Sequence, residues 1–512
     1  MSVAATEALL DELDREGVEL WIEADQLRYR APAGVLTAAR KSAVSASKET
    51  LLEILRVRAA AAEPSPCVPG AECVWAPTEM QVGLLQRVLT APLLAPMQLR
   101  EPLVPAAFDT ALEALLQRHA ILRSRYIRGQ SGAVWAVTDP HVAVPVVTQD
   151  YRALPPAERE MAARRANRDI ASQPFDIERG PLLRVAVHRL DDAVTWVVFI
   201  VHHALFDAAS QRILLTDFMA LYAAAARSEQ ANLTPLPIQY SDFACEQRAM
   251  LDGVRGRETR QYWRDKLAGA REIFWLPYDR DVPVAESGTL AEAHVETDAA
   301  VVARLRQLAP QYECSLSVVV TAAFYALLVR WTARGDVASW VCRVGRDRPE
   351  LQRLVGCFAS FWPLRVDLSG DPSFVELLQR VNAAYVEGLR HAHVTVARLK
   401  PELDRVREGR YFPGIFFNFV PAELVPRTVG PQRSPSNDAG AQEVNGGFQL
   451  ALKATATETD NGLHWVFQHA NAHFEHATVG HACECLRQAL TAIAQDPGAR
   501  LTSFMPPVAR ER

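Results

Sequence analysis

From residue 195 to 201 the chain reads Thr-Trp-Val-Val-Phe-Ile-Val, an unbroken run of β-branched and aromatic residues of strand length. Other stretches follow a different period. "FDTALEALLQRHAILRSRY" (108–126), "ASQRILLTDFMALYAAAA" (209–226) and "SLSVVVTAAFYALLVRWTA" (315–333) read as helices, the last apolar almost all round. Such mixing predicts an α+β protein whose sheets are covered by helices. Residues 1 to 60 look self-contained: a helical start (Ala5 to Arg15), then "GVELWIEADQLRYRAPAG", then the helical "KETLLEILRVRAA". The middle piece alternates as a hairpin does. Val18, Leu20 and Ile22 share a face with Leu27 and Tyr29; Glu19, Trp21, Glu23, Arg28 and Arg30 take the other, with Ala24-Asp25 as the turn. Trp21 then stands among charges, either capping the small core or belonging with Arg28 and Arg30 to a partner-binding face. A Pro- and Ala-rich stretch (61–74) reads as a linker, and "PRTVGPQRSPSNDAGAQEVNGG" (426–447) as a surface loop.

Composition narrows the classes. A length of 512 residues and 49% hydrophobic content are enough for several domains with real cores. Lys+Arg of 55 against Asp+Glu of 60 gives a net charge of −5, which argues against a general affinity for nucleic acid or anionic membrane. The pattern contains neither a membrane span nor a signal peptide, so a cytoplasmic protein is expected. The eight cysteines are scattered, and Cys483 and Cys485 lack a second pair, so no metal site is expected.

The strand ends in His202-His203, with Asp207 four residues beyond the second histidine. If the strand period runs to the end, His203 shares a face with Val201 and Phe199, and His202 points the other way with Ile200. The two rings then cannot chelate one metal. Asp207 lies on the turn into the next helix, where it caps that helix or pairs with a buried cation.

His202-His203-Ala204-Leu205-Phe206-Asp207 resembles the signature of nonribosomal peptide synthetase condensation domains, two histidines, three variable residues, then Asp-Gly. Ala208 stands where that family usually has Gly. Further landmarks recur in order: "APTEMQVGLL" (76–85), "RHAILRSRY" (118–126), "PFDIERGPLLRVAVHRL" (174–190), "YSDFACE" (240–246), "YWRDKLAGA" (262–270), "LPYDRDVP" (276–283), "RVGRDRPEL" (343–351), "VGCFASFWPLRVD" (355–367) and "FPGIFFNF" (412–419). The resemblance implies two chloramphenicol-acetyltransferase-like lobes in a V-shaped pseudo-dimer (75–250 and 251–505) with a tunnel between them. Residues 1–60 resemble the TubC-type β-hairpin docking domains of megasynthases.

The family resemblance implies His203 as the catalytic residue facing the tunnel, with His202 mainly structural. Asp207 is implied to hold the loop through an arginine, Arg346 being the best match and Arg343, which stands where the family usually has an apolar residue, the alternative. Ala208, Ser360, Trp362 and Asn418 are implied tunnel or substrate positions, and an ordinary backbone is expected at Ala208 because the helical pattern begins there. "HAHVTV" (391–396) replaces the family's "HQDxPF", leaving His391 as a structural or exposed residue. The implied reaction joins a carrier-bound acyl or peptidyl thioester to an amine or hydroxyl, and releases the chain if the acceptor is free. Neither an adenylation region nor a carrier-type Gly-Gly-x-Ser is present, so no cofactor is expected on the chain itself; substrates arrive on phosphopantetheine. The expected partners are an upstream acyl or peptidyl carrier protein with a C-terminal tail, and either an acceptor carrier or a free acceptor. The tail would add a strand to the hairpin, with Arg28, Arg30, Arg40 and Lys41 favouring acidic residues and Trp21 as an apolar anchor. A monomer is the expected state. The alternatives are an acyltransferase of the same superfamily using coenzyme A or a carrier, an epimerisation domain, or a non-catalytic recruitment domain.

Overall fold

Every residue from Thr195 to Val201 is buried, which a strand achieves only when both faces of its sheet are covered. Val197, Phe199 and Val201 face a core shared with helices Pro105–Arg118 and Ala208–Ala226. Val198 and Ile200 face a smaller cluster with Ala186 and with Ile170 of helix Pro156–Ala171.

The computed structural model describes residues 6, 9–10, 12–13, 16–23, 26–32, 35–52, 54–55, 65–85, 92–130, 132–268, 274, 276–280, 290–394, 399, 414–424, 450–505 and 508. An N-terminal hairpin pairs β1 (Glu19–Glu23) with β2 (Gln26–Arg30), setting Leu20 opposite Tyr29 and Trp21 opposite Arg28. The register leaves two residues for the turn, Ala24 and Asp25, which lie outside the described residues. Thr37 caps the following helix, Ala38–Ala46, by accepting from the Arg40 N–H.

The first lobe contains β3 (Cys73–Trp75), β4 (Leu93–Leu99), β5 (Ser124–Arg128), β6 (Val134–Thr138), β7 (Val146–Asp150), β8 (Leu183–Arg189) and β9 (Thr195–Val201). They form two sheets, ordered β3-β6-β5 and β4-β9-β8-β7. The helix expected over 108–126 stops at Arg118. A 3₁₀ turn, Ala120–Arg123, leads into β5 instead, where Ser124 and Tyr126 turn inward on a two-residue period. The second lobe contains β10 (Leu290–Asp298), β11 (Asp336–Arg343), β12 (Ser360–Asp367), β13 (Gly414–Val420), β14 (Leu450–Thr459) and β15 (Gly462–Ala470), in the order β10-β15-β14-β13-β11-β12. Helix Leu316–Thr332 lies inside this lobe, capped by Ser315 and buried along most of its length. The surface loop expected over 426–447 lies outside the described residues.

The lobes do not divide cleanly at residue 250. Leu351, Leu354, Val355, Cys357 and Phe358, which precede β12, belong to the core of the first lobe. Gly356 passes so close to Tyr240 that a Cβ there would sit 2.1 Å from the ring. The second lobe thus inserts a segment into the first, beside the histidine pair.

Candidate active site

The strand ends at Val201, so its strict alternation extends to neither histidine; His202 caps the turn that follows. His202 meets Phe175 edge-on, with ring centroids 5.8 Å apart, and Phe175 also packs on the Ile200 cluster. Burial, reinforced by the neighbouring His203, lowers the His202 imidazole to about 4 and keeps it neutral. Its Nδ1 accepts from the Ala204 N–H at 3.2 Å. His203 instead opens a 3₁₀ turn, His203–Leu205, and that turn, not strand alternation, sets its direction.

The His203 ring remains partly exposed. Its Nδ1 lies 2.8 Å from the Phe206 carbonyl oxygen. A carbonyl only accepts, so Nδ1 carries a proton and donates, and in the neutral ring the lone pair is then on Nε2. The turn itself is held from below. Gln81 Nε2 donates to the Ala204 carbonyl at 2.8 Å and to Tyr126 Oη at 2.7 Å, while its Oε1 accepts from the Thr78 N–H at 3.0 Å.

Asp207 both caps and pairs. Its side chain accepts from the Ser210 N–H at the start of helix Ala208–Ala226 and from Ser210 Oγ, each at 2.8 Å. Arg346 donates through Nη1 to Oδ2 at 2.7 Å and through Nη2 to Oδ1 at 2.9 Å. The backbone N–H groups of Phe358 and Ala359 add 3.0 and 3.2 Å bonds to Oδ2. Burial alone would push this carboxyl up, but the Arg346 charge and the bonds from Arg346 and Ser210 outweigh it and hold it below the usual carboxylate range. Arg346 also lies over the Phe358 ring at 4.3 Å. Asp207 therefore ties the histidine turn of the first lobe to the segment inserted from the second.

Arg343 does not join Asp207. It pairs with Asp347 at 2.7 Å and reaches His393. Ala208 is the first helical residue and has no positive φ, so it replaces a glycine without strain. Ser360 is half-buried at the start of β12, opposite Arg343. Asn418 is half-buried in β13, opposite Thr455. Trp362 is corrected: with 0% exposure it lines no open space. It packs on Trp263 and Tyr385 inside the second lobe, and Gly388, whose Cβ would fall 2.3 Å from the indole, lets the helix come close. His391 stacks on Tyr262 at 3.9 Å. In the N-terminal unit Arg40 is corrected too, because it is engaged internally by Glu12 at 2.6 Å and Glu16 at 2.5 Å. Trp21 and Tyr29 are exposed, as are Arg28, Arg30 and Lys41.

Sequence reasoning assigned no role to Gln81, Tyr126, Ser210 or Tyr240. Tyr240 Oη donates to the Cys357 carbonyl at 2.7 Å and so holds the inserted segment. All four lie within or beside stretches singled out as landmarks, but a buried polar residue in an apolar pattern does not reveal its partner. Among the described residues, no group of three His, Cys, Asp or Glu side chains converges as metal ligands, and no single helix is long and apolar enough to cross a membrane.

Residues 94–511 match the family model of the condensation domain, and residues 7–56 that of the TubC N-terminal docking domain. A linear gramicidin synthase of Brevibacillus parabrevis is 32% identical over 79% of this chain, which spans 8% of that protein. Phosphinothricin tripeptide synthetase PhsC of Streptomyces viridochromogenes is 32% identical over 80% of this chain, which spans 38% of it. Among solved structures, the X-domain in its complex with OxyB from teicoplanin biosynthesis superimposes with a TM-score of 0.66 at 24% identity, over 88% of this chain and 100% of that one. That likeness speaks to the fold.

Proposed function

The chain belongs to the condensation-domain family, and from that premise we propose that it joins a carrier-bound acyl or peptidyl thioester to an amine or hydroxyl acceptor. The observation behind this reading is His203: Nδ1–H is committed to the Phe206 carbonyl, which leaves Nε2 as the acceptor of the neutral ring, in a residue that is partly exposed. As the acceptor nitrogen or oxygen attacks the thioester carbonyl, Nε2 takes its proton. The C–N or C–O bond forms, the C–S bond breaks, and the proton passes on to the departing thiolate. A thioester is already activated, so holding the nucleophile in place contributes alongside proton transfer. His202 is a packing residue here, while Asp207 and Arg346 hold the turn. Ser360 and Asn418 remain candidates for the substrate passage.

The donor reaches this cytoplasmic enzyme on the phosphopantetheine of a carrier protein whose C-terminal tail pairs with the N-terminal hairpin. Arg28, Arg30 and Lys41, with Trp21, form the selecting surface. The acceptor is a second carrier or a free small molecule, and in the latter case the step releases the chain.

The test presents one acyl group on the upstream carrier and, separately, on coenzyme A, adds amines and alcohols, and follows adducts by intact mass. Transfer from the carrier at a rate well above that from coenzyme A is expected. Faster transfer from coenzyme A would favour a free-thioester acyltransferase, and no transfer from either would favour a recruitment domain.

A further inference from the structure

The His393 imidazole is flanked by two guanidinium groups. Arg343 Nη1 lies 3.2 Å from Nδ1, and Arg255 Nη2 lies 3.1 Å from Nε2. Arginine only donates, and a neutral imidazole has one acceptor nitrogen, so one of these contacts sets a donor against a donor. Protonating the ring would set donors against both arginines. Burial, then the charges of Arg343 and Arg255, lowers this histidine to about 4 despite the opposing influence of Asp347. A pair of cations around a ring that can satisfy only one of them is the arrangement an oxyanion would complete.

Surrounding charge leaves room for one. Asp347 takes Arg343, and Lys266 takes Glu387 at 3.1 Å. Among the described residues no carboxylate lies within salt-bridge distance of Arg255, which is exposed on helix Val254–Leu267. Arg390, Glu258 and His391 are the remaining charged or titratable neighbours of the cluster.

Its position is at the seam between the lobes. Arg343 ends β11 opposite Ser360, one residue past Ala359, whose N–H is held by Asp207. Arg348, five residues after Arg343, crosses to Glu246 of the first lobe at 2.7 Å. Arg343 and His393 both stand where the sequence differs from the family pattern described above.

We propose that Arg343 and Arg255, with His393 between them, bind an oxyanion carried by a substrate at the lobe seam. The inference rests on the acyl-transfer reading and names a substrate feature of that same site. Two sources share the chemistry: the phosphodiester of a phosphopantetheine arm, and a carboxylate on a free acceptor. With the anion in place both guanidinium groups gain charge-assisted bonds, and His393 can take up a proton and donate as well.

The experiment is calorimetric titration of the full chain with two matched pairs, phosphopantetheine against pantetheine and β-alanine against β-alaninamide. The anionic member of one pair should bind about tenfold tighter or better, and Arg255→Ala and Arg343→Ala should each abolish that preference. A preference confined to the first pair assigns the anion to the arm, and one confined to the second assigns it to the acceptor. No preference in either pair, or a preference that survives both substitutions, overturns the inference. Arg255 is exposed, so its variant tests binding without disturbing the core. Binding needs no turnover, so a failure here is distinct from failure of the acyl-transfer assay.

Discussion

Two buried oxygens of Asp207 receive a backbone N–H and a hydroxyl from Ser210, both ends of the Arg346 guanidinium, and the N–H groups of Phe358 and Ala359. A charge so surrounded supports geometry, and its removal strands Arg346 in the interior. Breaking a buried pair on one side costs about 3–5 kcal/mol. Asp207→Asn is therefore expected to lower the free energy of unfolding in urea by an amount of that size at neutral pH, and with it the midpoint. Because the folded carboxyl is depressed, its stabilisation is full above the unfolded carboxylate range and fades as pH falls through its folded value. The gap between wild type and Asp207→Asn should narrow on acidification. Unfolding curves recorded at several pH values check this, and coincident midpoints at pH 7 would remove Asp207 from its supporting role. That Asp207 would cap or pair was legible from its place before a helix. The choice of Arg346 over Arg343 came from family resemblance, since 139 residues separate the partners and no local pattern spans that distance. Arg40 shows the converse: its charge was visible, but its engagement by Glu12 and Glu16 depends on how the N-terminal unit folds back on itself.

At the level of elements, sequence was informative where one period ran unbroken. The strand Thr195–Val201 and helices Ala208–Ala226 and Leu316–Thr332 follow from their apolar spacing, and the hairpin register follows from alternation about a two-residue turn. Short turns were not legible. The 3₁₀ turn at His203 and the one at Ala120–Arg123 break the period that precedes them, so the facing of His203 could not be extrapolated from Phe199 and Val201. Trp362 escaped for another reason: its place on the passage came from the resemblance, and the alternation of Trp362, Leu364 and Val366 marks a buried face without telling core from passage. The hairpin carries its own prediction. On the proposed docking, strand addition would place partner side chains beside Arg28 and Arg30, so Arg28→Glu should weaken binding of an acidic carrier tail by about tenfold at low salt, with much less loss at high salt where surface charges are screened. Fluorescence anisotropy with a labelled tail peptide measures it; unchanged affinity at low salt would place the docking surface elsewhere.

Across the whole molecule, the histidine turn belongs to the first lobe and its anchor to the second. Leu351 to Phe358 enter the first lobe's core, Tyr240 and Ser210 hold the backbone of that segment, and Arg346 closes on Asp207. The histidine turn is thus fixed by contacts with the segment Leu351 to Phe358, which no boundary drawn along the sequence reveals. This arrangement leaves His203 with Nδ1 bonded to the Phe206 carbonyl and Nε2 as the acceptor of the neutral ring. The most direct test is a single-turnover comparison of wild type, His202→Ala and His203→Ala with the loaded upstream carrier. Loss of the His203 imidazole should slow acyl transfer about 10²–10⁴-fold without changing the unfolding midpoint, whereas His202→Ala should act chiefly on stability. A His203→Ala rate within about twofold of wild type, well short of what losing a general base costs, would contradict the account.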